Sequence, residues 1–121
     1  ISSVNTIFSV CDIIVLCVDL NKSSYHLIKK KQLMKLNKDK ILINVSRGPV
    51  VDNLALIQVI KKKEFQIGFD VFEKEPISKN LLNTLKKENS ILTSHNAFNT
   101  KESVNLVHDN TIKNLIKGLK S

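Results

Sequence analysis

Glycine, aromatic residues and arginine are all scarce in this chain. Its 121 residues hold three glycines, two prolines, two cysteines, one tyrosine, no tryptophan and a single arginine. Gly48, Gly68 and Gly118 are too far apart for a G-x-G-x-x-G turn, so the sequence has no loop of the kind that cradles a pyrophosphate at a helix start. No Cys/His spacing fits a metal site. Cys11 and Cys17 flank one apolar run and read as reduced core residues, with Cys17 directed into a buried sheet. Reduced thiols point to the cytoplasm. No apolar run approaches the roughly 18 residues needed to span a bilayer. No basic stretch leads into an apolar core at the start, and the chain opens on Ile1, not methionine, as a piece of a longer protein would.

The apolar share of 42% and charged share of 25% are ordinary for a globular fold, and the length allows one domain. The net charge of +8 comes from 18 lysines and one arginine against 11 acids. Such an excess suits an anionic partner such as nucleic acid. The lysines, however, are spread along the whole chain, and stacking aromatics and arginine clusters are missing. Compositional bias toward lysine, isoleucine and asparagine accounts for the charge better than a binding surface, so no nucleic-acid partner is expected.

The apolar pattern alternates between strand-like and helix-like stretches. Residues 12–18, 40–45, 65–71 and 90–93 read as strands, the first as a β-branched run suited to burial on both faces. Between them, residues 29–37, a segment capped by Asp52 that carries Leu54 to Ile60, and about 78–87 read as helices. Thr100 caps a last helix running to about 120, with Val104, Val107, Ile112, Leu115, Ile116 and Leu119 at helical spacing. The first ten residues look like the end of a helix. Strands separated by helices imply right-handed crossovers and a parallel α/β sheet.

In such sheets ligands bind at the carboxyl ends of the strands. This sequence puts Asp19, Asn21, Ser23 and Ser24 after the first strand, and Asn44, Ser46 and Arg47 after the second. Asp70, Glu73 and Glu75 follow the third, and His95 and Asn96 the fourth. Arg47 is the one guanidinium in a chain of lysines, and its planar fork suits a carboxylate or phosphate. His95 becomes a candidate proton donor if a carboxylate from the neighbouring strand orients it and favours its charged form; Glu73 and Glu75 are both in position. His26, expected to open a helix, and His108 have no such company and read as structural or exposed.

Together these segments resemble the D-isomer-specific 2-hydroxyacid dehydrogenases. The likeness is carried by Cys11–Val18 with His26-Leu27-Ile28, by Ile43-Asn44-Val45-Ser46-Arg47-Gly48-Pro49-Val50-Val51-Asp52, by Gly68-Phe69-Asp70-Val71-Phe72-Glu73-Lys74-Glu75-Pro76, and by Thr93-Ser94-His95-Asn96-Ala97-Phe98-Asn99-Thr100. It covers essentially the whole chain in order. The implied fold is the C-terminal portion of a Rossmann-type dinucleotide-binding domain over residues 1–121, lacking its first two strands and glycine-rich turn, with the substrate domain elsewhere in a protein two to three times as long. The implied activity is hydride transfer between a nicotinamide cofactor, NAD with NADP open, and a small 2-oxo or D-2-hydroxy acid. A homodimer is implied for the full-length protein, and a dinucleotide-binding corepressor of the same fold is the alternative.

The resemblance also implies roles. Arg47 would grip the substrate carboxylate, His95 would pass the proton, and Glu75 would orient His95. Asp70 would bond the nicotinamide carboxamide. Val18, Ser24, Val45, Ser46 and Ala97, together with Arg47 and His95, would border the cofactor. Asp19 and Ser94 stand where the family usually has proline. The Ala97-Phe98-Asn99-Thr100 run leans toward the D-lactate branch. If the strand at 12–18 is the third of a 3-2-1-4-5-6 sheet, two vacant positions, roughly 14 Å at ~4.8 Å per strand, would separate it from the next.

Overall fold

The computed structural model describes residues 3–86 and 90–120. Helix α1 spans Val4–Val10, strand β1 Ile13–Leu16, the single helical turn α2 Lys30–Leu33 and strand β2 Ile41–Asn44. A 3₁₀ turn at Gly48–Val50 leads to helix α3, Asn53–Ile60. Strand β3 covers Gln66–Phe69, helix α4 Lys79–Leu85, strand β4 Ser90–Leu92 and helix α5 Lys101–Leu119. Every expected element is present, each strand shorter at its ends than the apolar run that announces it. The expected end of the helix at 87 lies outside the described residues.

Side-chain caps set four helix starts; those at Asp52 and Thr100 were expected from the sequence, and those at Ser3 and Ser78 were not. Ser3, Asp52, Ser78 and Thr100 each accept a hydrogen bond from the backbone N–H three residues on. Such a cap satisfies one of the donors that a helix start leaves without a partner. The other end of α1 is closed by a buried lysine. Lys40, 7% exposed, donates from Nζ to the carbonyls of Phe8, Ser9 and Cys11 at 3.0, 3.0 and 2.8 Å. A cation there offsets the negative end of the helix dipole.

The four strands form one parallel sheet in chain order, β1-β2-β3-β4. Ile13 pairs with Ile41, Ile41 with Gln66, and Ile67 with Ser90. The vacancy expected between the first two strands does not exist. In the 3-2-1-4-5-6 order, the strands that lie side by side in chain order on the far side of the switch begin with the fourth. β1 therefore takes the fourth strand's place and not the third's.

Burial on both faces is also corrected. Ile14 and Leu16 are buried, while Ile13 and Val15 are 60% and 50% exposed. Consecutive right-handed crossovers place α1 to α4 over one face, each packed on the next. There Ile14, Leu16, Leu42, Ile67 and Phe69 form one core with Phe8, Leu33, Leu56, Ile60 and Leu85. Cys17 is exposed and Cys11 half-buried, so the burial expected for Cys17 fails for the same reason. Along α5 the apolar stripe of Val107, Ile112, Leu115, Ile116 and Leu119 is exposed. No helix among the described residues is long and apolar enough to cross a membrane.

Candidate active site

Parallel strands in chain order bring the loops after β1, β2, β3 and β4 to one edge. The arginine loop follows β2. Asn44 is fully buried at the strand end, and a buried amide must find partners. Its Oδ1 accepts from Ser46 N at 3.1 Å and Ser46 Oγ at 2.9 Å, and its Nδ2 donates to Arg47 O at 3.1 Å. These three bonds bend the chain and turn Arg47 outward. Arg47 Nη1 donates to Ser46 O at 2.7 Å, and neither ion pair among the described residues involves it. The guanidinium is thus left free for an incoming anion.

Gly48 lets this loop lie against the loop after β3. A Cβ built on Gly48 would come 1.9 Å from the carbonyl carbon of Phe72 and 2.0 Å from its oxygen. Only a residue without a side chain allows that approach. The glycine at 48 therefore sets how near the arginine stands to the acids that follow Phe72.

Those acids are fixed in turn. Glu75 Oε1 accepts from Phe72 N at 2.9 Å, and Glu75 Oε2 lies 2.8 Å from His95 Nδ1. The Phe72 N–H first, and His95 second, hold the Glu75 carboxyl below its ordinary value. A carboxylate only accepts, so the bond requires a proton on Nδ1 of His95. Its Nε2, with no bond among the described residues, is the nitrogen left to exchange a proton. Of the two expected partners for His95, the structure selects Glu75. His95 has φ 58, a left-handed backbone that histidine tolerates better than most residues.

Asp70, 5% exposed, ties the histidine loop to β3. Its Oδ1 accepts from Thr93 Oγ1 at 2.6 Å and Asn96 N at 2.9 Å, and its Oδ2 accepts from Ala97 N at 2.9 Å. His95 N donates to Asp70 O at 2.8 Å. Burial pushes the Asp70 carboxyl up, but bonds from Thr93, Ala97 and Asn96 and the nearby His95 together bring it below its usual value. A carboxylate has about four acceptor positions, so three bonds leave one on Oδ2.

An open cleft of about 390 Å³ lies between the ends of β1 and β2, lined by Cys17, Val18, Asp19, Leu20, Val45, Ser46 and Arg47. Val18 and Val45 are 38% and 44% exposed and form its apolar surface. Ser24 is not part of it. Its Oγ donates to Asp19 O at 2.5 Å and accepts from Asn21 N at 2.8 Å, so it braces the wall from behind and offers a phosphate nothing. A second hollow of about 470 Å³ opens beside Glu75 and His95.

The histidine set aside in the sequence has company after all. His26 Nε2 is 3.0 Å from Glu73 Oε1, and His26 lies in a turn before α2 instead of opening a helix. The periodic pattern carries no sign of this pair, because 47 residues separate its members. Asn44, named in the sequence at the end of the second strand, turns out to be the brace of the arginine loop: an amide ending an apolar strand needs buried partners. Thr93 could not be singled out, since threonine is ordinary in a strand.

Comparison with known proteins gives the site its context. Residues 1–97 match the model of the D-isomer specific 2-hydroxyacid dehydrogenase NAD binding domain. The peroxisomal glycerate dehydrogenase of Arabidopsis thaliana is 41% identical over 101 residues, covering 83% of this chain and 26% of that one. The glyoxylate reductase of Thermofilum pendens is 38% identical over 120 residues, covering 98% of this chain and 35% of that one. In structure, the D-lactate dehydrogenase of Aquifex aeolicus, complexed with NAD and lactic acid, superposes with a TM-score of 0.84 at 28% identity, over 98% of this chain and 40% of that one. The chain thus spans between about a quarter and two fifths of these relatives. With four strand-end motifs in order and a family match over most of its length, the chain belongs to the D-isomer-specific 2-hydroxyacid dehydrogenase family, in the part that forms the NAD-binding domain.

Proposed function

We propose that this chain is the C-terminal portion of the dinucleotide-binding domain of an NAD-dependent oxidoreductase that interconverts a small 2-oxo acid and its D-2-hydroxy acid. The observation that carries this reading is the 2.8 Å contact between His95 Nδ1 and Glu75 Oε2, on the same sheet edge as an unpaired arginine. Arg47 binds the substrate carboxylate with a two-pronged grip and draws electron density from the adjacent carbonyl. His95 gives its Nε2 proton to the carbonyl oxygen in reduction and takes it back in oxidation. Glu75 keeps the proton on Nδ1 and stabilises the imidazolium. Asp70 orients the nicotinamide amide through its remaining acceptor position. Val18 lies near the adenine, and Val45 and Ser46 lie against the cofactor. The dinucleotide, when bound, supplies the hydride; the protein supplies position and charge.

The Ala97-Phe98-Asn99-Thr100 run favours lactate as the hydroxy acid, and the relatives above are named for glycerate, glyoxylate and D-lactate. Hydroxypyruvate, glyoxylate and pyruvate are therefore the three substrates to try first. The full-length protein is a cytoplasmic homodimer in this reading, with neither nucleic acid nor membrane as partner; free thiols at Cys11 and Cys17 and scattered lysines support that. The test is NADH oxidation by the full-length protein across a broad 2-oxo acid panel. Activity with at least one member is expected, and none with any would sink the reading.

A further inference from the structure

The same loop that holds Glu75 carries a second glutamate, and that one grips a second histidine. Glu73 Oε1 meets His26 Nε2 at 3.0 Å, and Glu73 Oε2 accepts from Asn53 N at 3.3 Å, at the first turn of α3. The two side chains are 24% and 27% exposed, so water weakens the contact without dissolving it. The imidazole is held from other sides as well. Tyr25 stacks on it, with ring centroids 4.1 Å apart and planes 18° from parallel. His26 N donates to Pro49 O at 2.8 Å, inside the arginine loop, and Ile28 bridges to Val51. The backbone of His26 sits at φ 48°, a left-handed conformation that is unfavourable for a non-glycine residue and persists where surroundings enforce it.

The strand order brings three loops to one edge, and these contacts tie them to one another. His26 belongs to the loop after β1, Pro49 and Asn53 flank the arginine turn after β2, and Glu73 lies in the acidic loop after β3. Glu73 is two residues from Glu75 and beside Phe72, whose N–H holds Glu75. It is also on the segment that Gly48 touches. The arginine on one loop and the histidine–glutamate pair on the other must address opposite ends of one small substrate. A displacement of about 1 Å between such groups can cost about a hundredfold in rate.

We propose that His26 and Glu73 are positioning residues: they form a clasp that holds the Arg47 loop and the Glu75 loop at the separation the reaction needs. This rests on the function proposed above. His26 lines neither of the two hollows described above; it acts through Pro49 on one side and Glu73 on the other.

The test uses the full-length protein. In His26→Asn the short amide cannot reach Glu73, yet asparagine tolerates the left-handed backbone. In His26→Gln the amide reaches about as far as Nε2 and keeps a donor for Glu73. Expected for His26→Asn is a fall of at least tenfold in kcat for the 2-oxo acid, with the dissociation constant for NADH changed less than twofold. His26→Gln should recover activity to within threefold of wild type. Glu73→Ala should match His26→Asn, and the double variant should be no worse than either alone. Hydrogen exchange at the Phe72 amide, bonded to Glu75, should quicken in His26→Asn and not in His26→Gln. That readout needs no turnover. If the wild type oxidises NADH with no 2-oxo acid, the proposed function falls and the clasp is judged on exchange at Phe72. If His26→Asn lowers the melting temperature but leaves kcat and Phe72 exchange as in wild type, the pair is a plain stabilising contact and the proposal is overturned.

Discussion

His95 Nδ1 and Glu75 Oε2 lie 2.8 Å apart, although 20 residues separate them in the chain. The other oxygen of Glu75 is held by the N–H of Phe72, so the carboxylate cannot swing away from the ring. The histidine is therefore oriented by a group that is itself fixed from behind. Replacing Glu75 by Gln removes the charge and keeps the size. In the full-length enzyme, turnover should fall about tenfold or more, within the range set by general acid–base contributions. Steady-state NADH oxidation measures it, and unchanged turnover would show that Glu75 does not serve His95.

His95→Ala removes the proposed proton donor outright. Turnover should drop by about 10² to 10⁴, while NADH binding, followed by fluorescence titration, changes little. A variant that still turns over at the wild-type rate refutes the assignment.

Gly48 is the point where the arginine loop meets the acidic loop. A methyl group there would fall within bonding distance of the Phe72 carbonyl, so backbone must move. Gly48→Ala should destabilise the fold by about 3 kcal/mol, the upper part of the usual overpacking range, and should raise KM for the 2-oxo acid by shifting Arg47. Urea unfolding and substrate saturation check the two effects separately. A stable variant with normal KM would mean that the two loops are not in close contact.

Lys40 joins α1 to the start of β2 through three backbone carbonyls. Lys40→Met keeps the apolar stem and strips away the donors. The loss should be about 2 kcal/mol, since hydrogen bonds from a charged group contribute more than neutral ones. Chemical denaturation gives the number, and a loss near zero would mean that water replaces the lysine without cost.

Asp70 and Glu75 are both held below their ordinary values. A lowered carboxyl binds fewer protons in the folded state than in the unfolded one. It stabilises the fold above the unfolded value, about 4, and that contribution is lost as pH falls through the lowered folded value. Stability should therefore decline on acidification from about pH 4 downward. In Asp70→Asn, which cannot titrate, the decline should be shallower. Thermal melts at a series of acidic pH values decide it, and parallel curves for the two proteins would exclude Asp70 as a contributor.

The alternation of apolar runs and polar breaks carried the fold class, since each strand and helix announces itself within about ten residues. The same is true of the caps at Asp52 and Thr100, which act over three residues. Arg47, Asp70 and His95 could be named as an edge cluster because a parallel sheet puts all its carboxyl ends together. Long-range choices were another matter. Local pattern does not separate Glu73 from Glu75; the family resemblance put Glu75 with His95, as the 2.8 Å contact has it, while the pairing of Glu73 with His26 emerged only from the folded loop. Ser24 has the chemistry of a phosphate ligand but is turned inward by Asp19. Strand order was misjudged by one position because local patterns say nothing of which strand lies beside which.

By itself, then, the sequence determined the elements, their parallel arrangement and the family, because these depend on spacing along the chain and on four motifs read in order. The tertiary structure decided the pairings: β1 against β2, Glu73 with His26, and the close approach of Gly48 to Phe72. Those depend on distances in space between residues far apart in the chain, and no local preference encodes them.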